Sequence, residues 1–373
     1  MSSLFVGIVG LPNVGKSTLF NALLKKQVAE AKNYPFTTIE PNVGVVEVPD
    51  PRLGALKETV EKSEGLSPGF KVIPAIVRFV DIAGLVKGAH KGEGLGNQFL
   101  SHIREVDAIV FVVRDFKNPD IIQTGTSPKD DLEVLKDELL LKDLETLEKR
   151  IDSFNRELKT ATQNDPRRKI LETMEAAKKL IEEGKWLADV MEADDLEKIK
   201  ELSLLSAKKY MVVVNSDESA LSGQAQGPTL ATGQSAVYEQ GRTLFISAKL
   251  EEELSALSDE EAVEYLKEVG LEEPGLVRLI KKGYELLNLA TYLTAGPKEV
   301  RAWTIKVGSL APQAAGVIHT DFERGFIAAD VIDWRQFVDL GGWKAARAAG
   351  KVLTIGKKDE VCDGMVVEFR FSV

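Results

Sequence analysis

The chain has 373 residues with 48 Lys and Arg against 58 Asp and Glu, a formal net charge of −10, which speaks against indiscriminate nucleic-acid binding and leaves room only for a local RNA contact. A single cysteine, Cys362, excludes an intramolecular disulfide and any cysteine-based zinc spacing, and is expected as a small buried residue. No apolar run approaches membrane-spanning length and no basic segment precedes the first one, so a cytoplasmic protein of two or three domains, with neither DNA nor a membrane as partner, is expected.

The first apolar run, residues 4–9, reads as a buried strand and delivers the chain into Gly10-Leu-Pro-Asn-Val-Gly15-Lys16-Ser17-Thr18, followed by a helical pattern from Leu19 to Leu24. This is the order of a phosphate-binding loop. Its glycines permit close backbone approach, and successive N–H groups and the helix N-terminus surround a phosphate while the loop lysine adds charge. Ser17 is placed to put its hydroxyl on Mg²⁺, an ion that takes few protein ligands. Downstream, Asn33-Tyr-Pro-Phe-Thr37-Thr38 is a loop before a strand at 44–48, and Thr37 is the candidate switch ligand of Mg²⁺. A further strand at 76–80 ends in Asp81-Ile-Ala-Gly84, a D-x-x-G whose Asp holds Mg²⁺ through water and whose glycine N–H meets the terminal phosphate. The next position is Leu85, which cannot orient an attacking water, so hydrolysis needs another residue.

A third buried strand spans 108–113. The pattern then changes to Leu140, Leu144, Leu147, Ile151, Phe154 and Leu158, an a/d seam on a charged helix, broken at Asn164-Asp165-Pro166 and followed by Ile170, Met174, Ala177 and Ile181. Residues 128–206 therefore read as an antiparallel helical hairpin inserted in the nucleotide domain, either simply packed or serving as a partner-binding arm. The alternating pattern resumes with strands at 210–214 and 243–246 leading into Asn215-Ser216-Asp217-Glu218 and Ser247-Ala248, placed as base-recognition loops. A guanine site uses N-K-x-D; with Ser216 and Glu218 at the Lys and Asp positions that fork is absent and adenine becomes plausible. From residue 288 onward strands at 301–307, 326–332 and 366–371 flank a partly helical 334–349, a small α+β unit whose near-neutral charge leaves the acidity to the rest of the chain.

These motifs, Gly-Leu-Pro-Asn-Val-Gly-Lys-Ser-Thr, Asn-Tyr-Pro-Phe-Thr-Thr-Ile-Glu-Pro-Asn, Asp-Ile-Ala-Gly-Leu-Val-Lys-Gly and Asn-x-x-Glu, make the chain closely similar to the YchF/Obg-like ATPase family over nearly its whole length. The resemblance implies an α/β P-loop NTPase sheet: an Obg-type G domain at 1–287, interrupted by a coiled-coil insertion at 128–206. A C-terminal α+β β-grasp (TGS) domain would occupy 288–371 and face the ribosome or its RNA. Position by position, Asn13, Val14, Gly15, Lys16, Ser17, Thr18 and Gly84 would bind phosphates, with Lys16 also catalytic. Ser17, Thr37 and Asp81 would serve Mg²⁺, and Asn215, Ser216 (through its backbone), Glu218, Ser247 and Ala248 would surround the adenine. The implied function is a Mg²⁺-dependent ATP-hydrolysing switch that associates with the ribosome. A GTPase, or a ribosome- or RNA-binding factor with nucleotide as regulatory ligand, is the alternative. Asn13 stands where several hydrophobic-switch NTPases place a K⁺ ligand, although a loop-stabilising amide is the favoured reading. Some relatives carry a hydrolysis-assisting His where this chain has Phe111; His90 and His102 are substitutes by proximity, and His319 is expected to be structural.

Overall fold

The computed structural model describes residues 4–30, 42–82, 95–116, 127–160, 162, 164–221 and 241–372. Strand β1 (Phe5–Gly10) leads into helix α1 (Lys16–Glu30). Then come β2 (Val43–Glu47), α2 (Arg52–Ser63), β3 (Lys71–Ile73), β4 (Ile76–Asp81), α3 (Leu95–Glu105) and β5 (Ala108–Asp115). The helical insertion holds α4 (Pro128–Glu157), α5 (Arg167–Glu182), α6 (Leu187–Val190) and α7 (Ala193–Lys198), after which β6 (Lys209–Ser216), β7 (Thr243–Ile246), α8 (Ala248–Leu254), α9 (Asp259–Val269) and α10 (Gly275–Leu286) complete the first unit. The second unit runs through β8 (Leu289–Ala295), β9 (Glu299–Lys306), α11 (Ala311–Ile318), α12 (Thr320–Arg324), β10 (Phe326–Asp333), α13 (Trp334–Leu340), α14 (Trp343–Ala348), β11 (Leu353–Ile355) and β12 (Met365–Phe371).

The first sheet has the order β2-β4-β1-β5-β6-β7 and is parallel except for the edge strand β2. Its central strands read as unbroken apolar runs because helices cover both faces, and β5 is buried from Ala108 to Val113. The chain leaves β1 toward β4 on one side and β5 on the other, so the crevice at the carboxyl end of β1 is the switch point where open α/β sheets bind ligands.

The insertion is the expected hairpin. Ser127 caps α4 by accepting from the Asp130 N–H at 3.2 Å, Pro128 takes the first helical position, and Leu147, Ile151 and Phe154 face Met174, Ala177 and Ile181 of α5 within one buried core. A polar peg fixes it to the sheet domain. The Asp143 carboxylate, 1% exposed, accepts from the Leu205 N–H at 2.8 Å, the Ser206 N–H at 2.7 Å and the Ser206 hydroxyl at 2.6 Å, just ahead of β6. Burial pushes that carboxyl above its ordinary range while these three donors pull it back.

The second sheet has the order β11-β10-β12-β8-β9-β3. The first strand of this unit, β8, lies parallel to its last, β12, between antiparallel neighbours, the connectivity expected of a β-grasp. A boundary at residue 288 misses one strand: β3, drawn from within the nucleotide domain, pairs with β9 in parallel. The two units also share a core, since Phe337, Trp343 and Val366 belong to the same buried cluster as Ile8 and Phe79. Arg52 at the start of α2 ties them further, donating to Asp50 at 2.7 Å and Asp363 at 2.7 Å, while Asp363 accepts from the Thr291 N–H at 2.8 Å. Cys362 beside it is exposed, not buried as its residue type suggested, because it lies in the turn before β12, where its own N–H bonds Met365 Sδ at 3.4 Å.

Replacing Asp143 with Leu strands two backbone N–H groups and a hydroxyl in the interior. We expect a loss of about 3 kcal/mol in chemical denaturation. A loss below about 1 kcal/mol would mean that the peg is dispensable.

Candidate nucleotide-binding site

Gly10 is the exit from β1, where a Cβ would stand 2.8 Å from both the Val112 carbonyl oxygen and Val14 Cγ2. The loop then turns through left-handed backbone at Asn13 (φ 65°) and Gly15 (φ 88°). At Gly15 a side chain would also collide with Asn215 Nδ2. Lys16 opens α1, and its buried ammonium is ion-paired with Asp81 at the end of β4. In this way the loop lysine and the D-x-x-G aspartate, 65 positions apart, meet at one point.

A cavity of about 1250 Å³ runs from there across the ends of the strands. Asn13, Gly15, Lys16, Ser17, Thr18 and Asp81 line its phosphate end, and Asn215, Ser216, Glu218, Ser247 and Ala248 its far end. The structure thus brings these candidate phosphate and base residues into one cavity, whereas Val14, also a candidate, is buried and does not line it. Ser17 and Asp81 offer hard oxygen donors in the same cavity, a set that suits Mg²⁺ held mostly by phosphates and water, and no cluster of three acidic, His or Cys ligands occurs among the described residues. Thr37, Gly84 and His90 lie outside the described residues.

Asn215 has a role the base-contact reading missed. Its Nδ2 donates to the Val14 carbonyl at 2.9 Å and its Oδ1 accepts from the Ala248 N–H at 2.9 Å, so one side chain braces the phosphate loop against the far loop. Ser247 caps α8 by accepting from the Leu250 N–H at 3.3 Å. The Ser216 hydroxyl is buried and has no hydrogen-bond partner among the described residues, although only its backbone had been assigned a part. Glu218 Oε1 accepts from the Tyr265 hydroxyl at 3.3 Å, and the glutamate's charge raises the tyrosine's pKa. Phe116 also lines the cavity, with the Arg114 guanidinium 4.4 Å from its ring centroid. Sequence reading missed Tyr265, which arrives from α9, and Phe116, although an aromatic right after β5 was a usable signal.

Of the two proposed hydrolytic substitutes, one needs correction. His102 is an exposed residue of α3 and does not line the cavity, so helix position rather than proximity in sequence decides against it. Phe111 points the other way: it is fully buried, edge-on to Trp186 at 5.9 Å and Tyr210 at 5.6 Å. His319 is structural as expected, its Nδ1 accepting from the Asp321 N–H at 3.2 Å to start α12.

A phosphate loop at the switch point of a parallel sheet, with its lysine on the D-x-x-G aspartate, defines a P-loop NTPase. Known proteins agree: residues 5–157 match the family model described as 50S ribosome-binding GTPase, and residues 289–372 match YchF-GTPase_C, described as a protein of unknown function. "Ribosome-binding ATPase YchF" of Haemophilus influenzae is 48% identical over 98% of this chain and 99% of its own length. The Bacillus subtilis protein of that name is 46% identical over 100% of both. A solved structure titled as the Schizosaccharomyces pombe YchF GTPase superposes with a TM-score of 0.85 at 37% identity, covering 99% of this chain and 98% of that one. The chain belongs to the YchF family.

Asn215→Ala removes both braces and leaves the Ala248 N–H without its acceptor. Nucleotide affinity, read by titration, is expected to fall by at least about tenfold with the fold intact by circular dichroism. Unchanged affinity would show that the loops hold their positions without it.

Proposed function

We propose that this chain is a Mg²⁺-dependent, slowly hydrolysing ATPase that switches state on the ribosome in the cytoplasm. The observation that carries the adenine reading is the far end of the cavity, where Ser216 and Glu218 stand in place of the guanine-reading Lys and Asp. Glu218 is an acceptor held by Tyr265, suited to the exocyclic amino group that adenine presents as a donor. The buried Ser216 hydroxyl, without a protein partner among the described residues, is a second polar group for a bound base or its water.

At the phosphate end Lys16 and the loop amides stabilise charge building on the terminal phosphate as water attacks in line. Ser17 and Asp81, with Thr37, would hold Mg²⁺, which when bound neutralises phosphate charge. Ribosome binding follows from what the relatives are named for, and we assign that contact to the C-terminal TGS-type unit and the helical arm. A GTPase is the second reading, favoured by the S. pombe structure's title and by the 50S ribosome-binding GTPase model. Asn13, exposed in left-handed backbone at the cavity, remains our candidate K⁺ ligand. Exchange of K⁺ for Na⁺ is then expected to slow turnover, and equal rates would remove that role.

ATP is expected to bind at least about tenfold more tightly than GTP in competition titration, since a mismatched buried polar pair costs over a kcal/mol. A clear GTP preference would overturn the assignment.

With Leu85 after the D-x-x-G motif and Phe111 facing away, intrinsic hydrolysis is expected to be slow and to rise on ribosome addition. His102→Ala is expected to leave single-turnover hydrolysis unchanged, whereas His90→Ala is expected to lower it by about tenfold at unchanged ATP affinity, a barrier change near 1.4 kcal/mol. A slowed His102 variant would contradict the placement of that helix relative to the site.

A further inference from the structure

The chain leaves the second sheet after β3, and this leaves part of the outer side of β9 without a neighbouring strand among the described residues. Strand β3 pairs only with Glu299, Val300 and Arg301. The Val307 N–H donates to the Asn288 carbonyl and the Gly296 N–H to the Glu299 carbonyl, so odd-numbered residues of β9 bond β8 and even-numbered ones face outward. Beyond Arg301, the backbone groups of Thr304 and the N–H of Lys306 therefore point to an edge that no described strand occupies. Open strand edges are templates for another strand.

This edge forms one wall of a groove of about 790 Å³ that continues along β4, Leu289 and α11. Its walls are mainly apolar, with Val307 57% exposed at the rim. Three cations, Arg78, Arg301 and Lys306, line it, and no carboxylate does among the described residues, although the whole chain carries −10. Arg301 is seated there, its guanidinium 3.8 Å from the Trp303 ring centroid. We propose that this groove takes an extended acidic segment of a partner protein, which adds a strand to the free edge of β9 through backbone hydrogen bonds. Its apolar side chains enter the groove and its carboxylates meet the three cations. A second copy of this chain is the poorer occupant, because pairing two such edges would bring the same cations face to face. The proposal does not depend on which nucleotide the cavity binds.

The test uses the full chain and a fluorescein-labelled peptide of about eight residues alternating Glu and Val, with a Lys/Val peptide as counterpart. Anisotropy is expected to show saturable binding of the acidic peptide alone. Hydrogen exchange on the wild-type protein is expected to show new protection at the Thr304 and Lys306 amides. Arg78→Glu combined with Lys306→Glu, which alters only side chains at the groove, is expected to weaken binding by at least about tenfold at unchanged nucleotide affinity. Thr304→Pro, which removes an outward N–H and no bond to β8, is expected to weaken it as well, with Thr304→Ala retaining it. Absence of saturable binding, equal binding of the Lys/Val peptide, protection elsewhere than on β9, or displacement of the peptide by a mixed-sequence RNA oligonucleotide that protects the same amides would each overturn the proposal.

Discussion

The nucleotide site depends on a single buried amide. Asn215 is the last residue but one of β6, and its two polar atoms join the Val14 carbonyl of the phosphate loop to the Ala248 N–H at the start of α8. The phosphate loop has no regular structure of its own to hold it, and Ala248 only opens α8, so this side chain and the strand it stands on help set the distance between the phosphate end and the base end. The strands that carry the site, β1, β5 and β6, are buried along most of their length. The glycine at position 15 is part of the same constraint, since only the absence of a side chain lets the amide come so close.

The two units of the chain are interlocked rather than strung together. Strand β3 belongs to the second sheet and β4, three residues on, to the first, so the two sheets are joined directly through Pro74 and Ala75. The carbonyl of Ala75 accepts from the Val48 N–H at 2.8 Å, and Arg52 spans from Asp50 to Asp363. β4 ends at Asp81, in the nucleotide cavity. A displacement of Asp81 when Lys16 turns to phosphate therefore has a covalent route of a few residues into the C-terminal unit, a geometry that suits a switch whose output lies away from its nucleotide.

Much of this was legible in the sequence because local signals and tertiary placement agree. The G-x4-G-K-S loop, the aspartate closing a strand, the heptad seam from Leu140 to Leu158 and the order of strands each gave the right element. What escaped detection depends on contacts between distant segments. The pairing of Lys71–Ile73 with β9, a strand of three residues, has no periodicity to read. Tyr265 reaches Glu218 across 47 positions, and the exposure of Cys362 follows from a turn rather than from its residue type. The His102 reading failed because neighbourhood in sequence says nothing about which side of a helix faces a cavity.

The claim at the centre of this account is that Ser216 and Glu218 select the base. The measurement that bears on it most directly is the ratio of GTP to ATP dissociation constants in the wild-type chain and in a Ser216→Lys, Glu218→Asp double variant, with thermal melting to verify folding. Restoring the guanine-reading pair is expected to move that ratio toward GTP by at least about tenfold. A ratio left unchanged in a folded variant would contradict the account and place base choice elsewhere in the cavity.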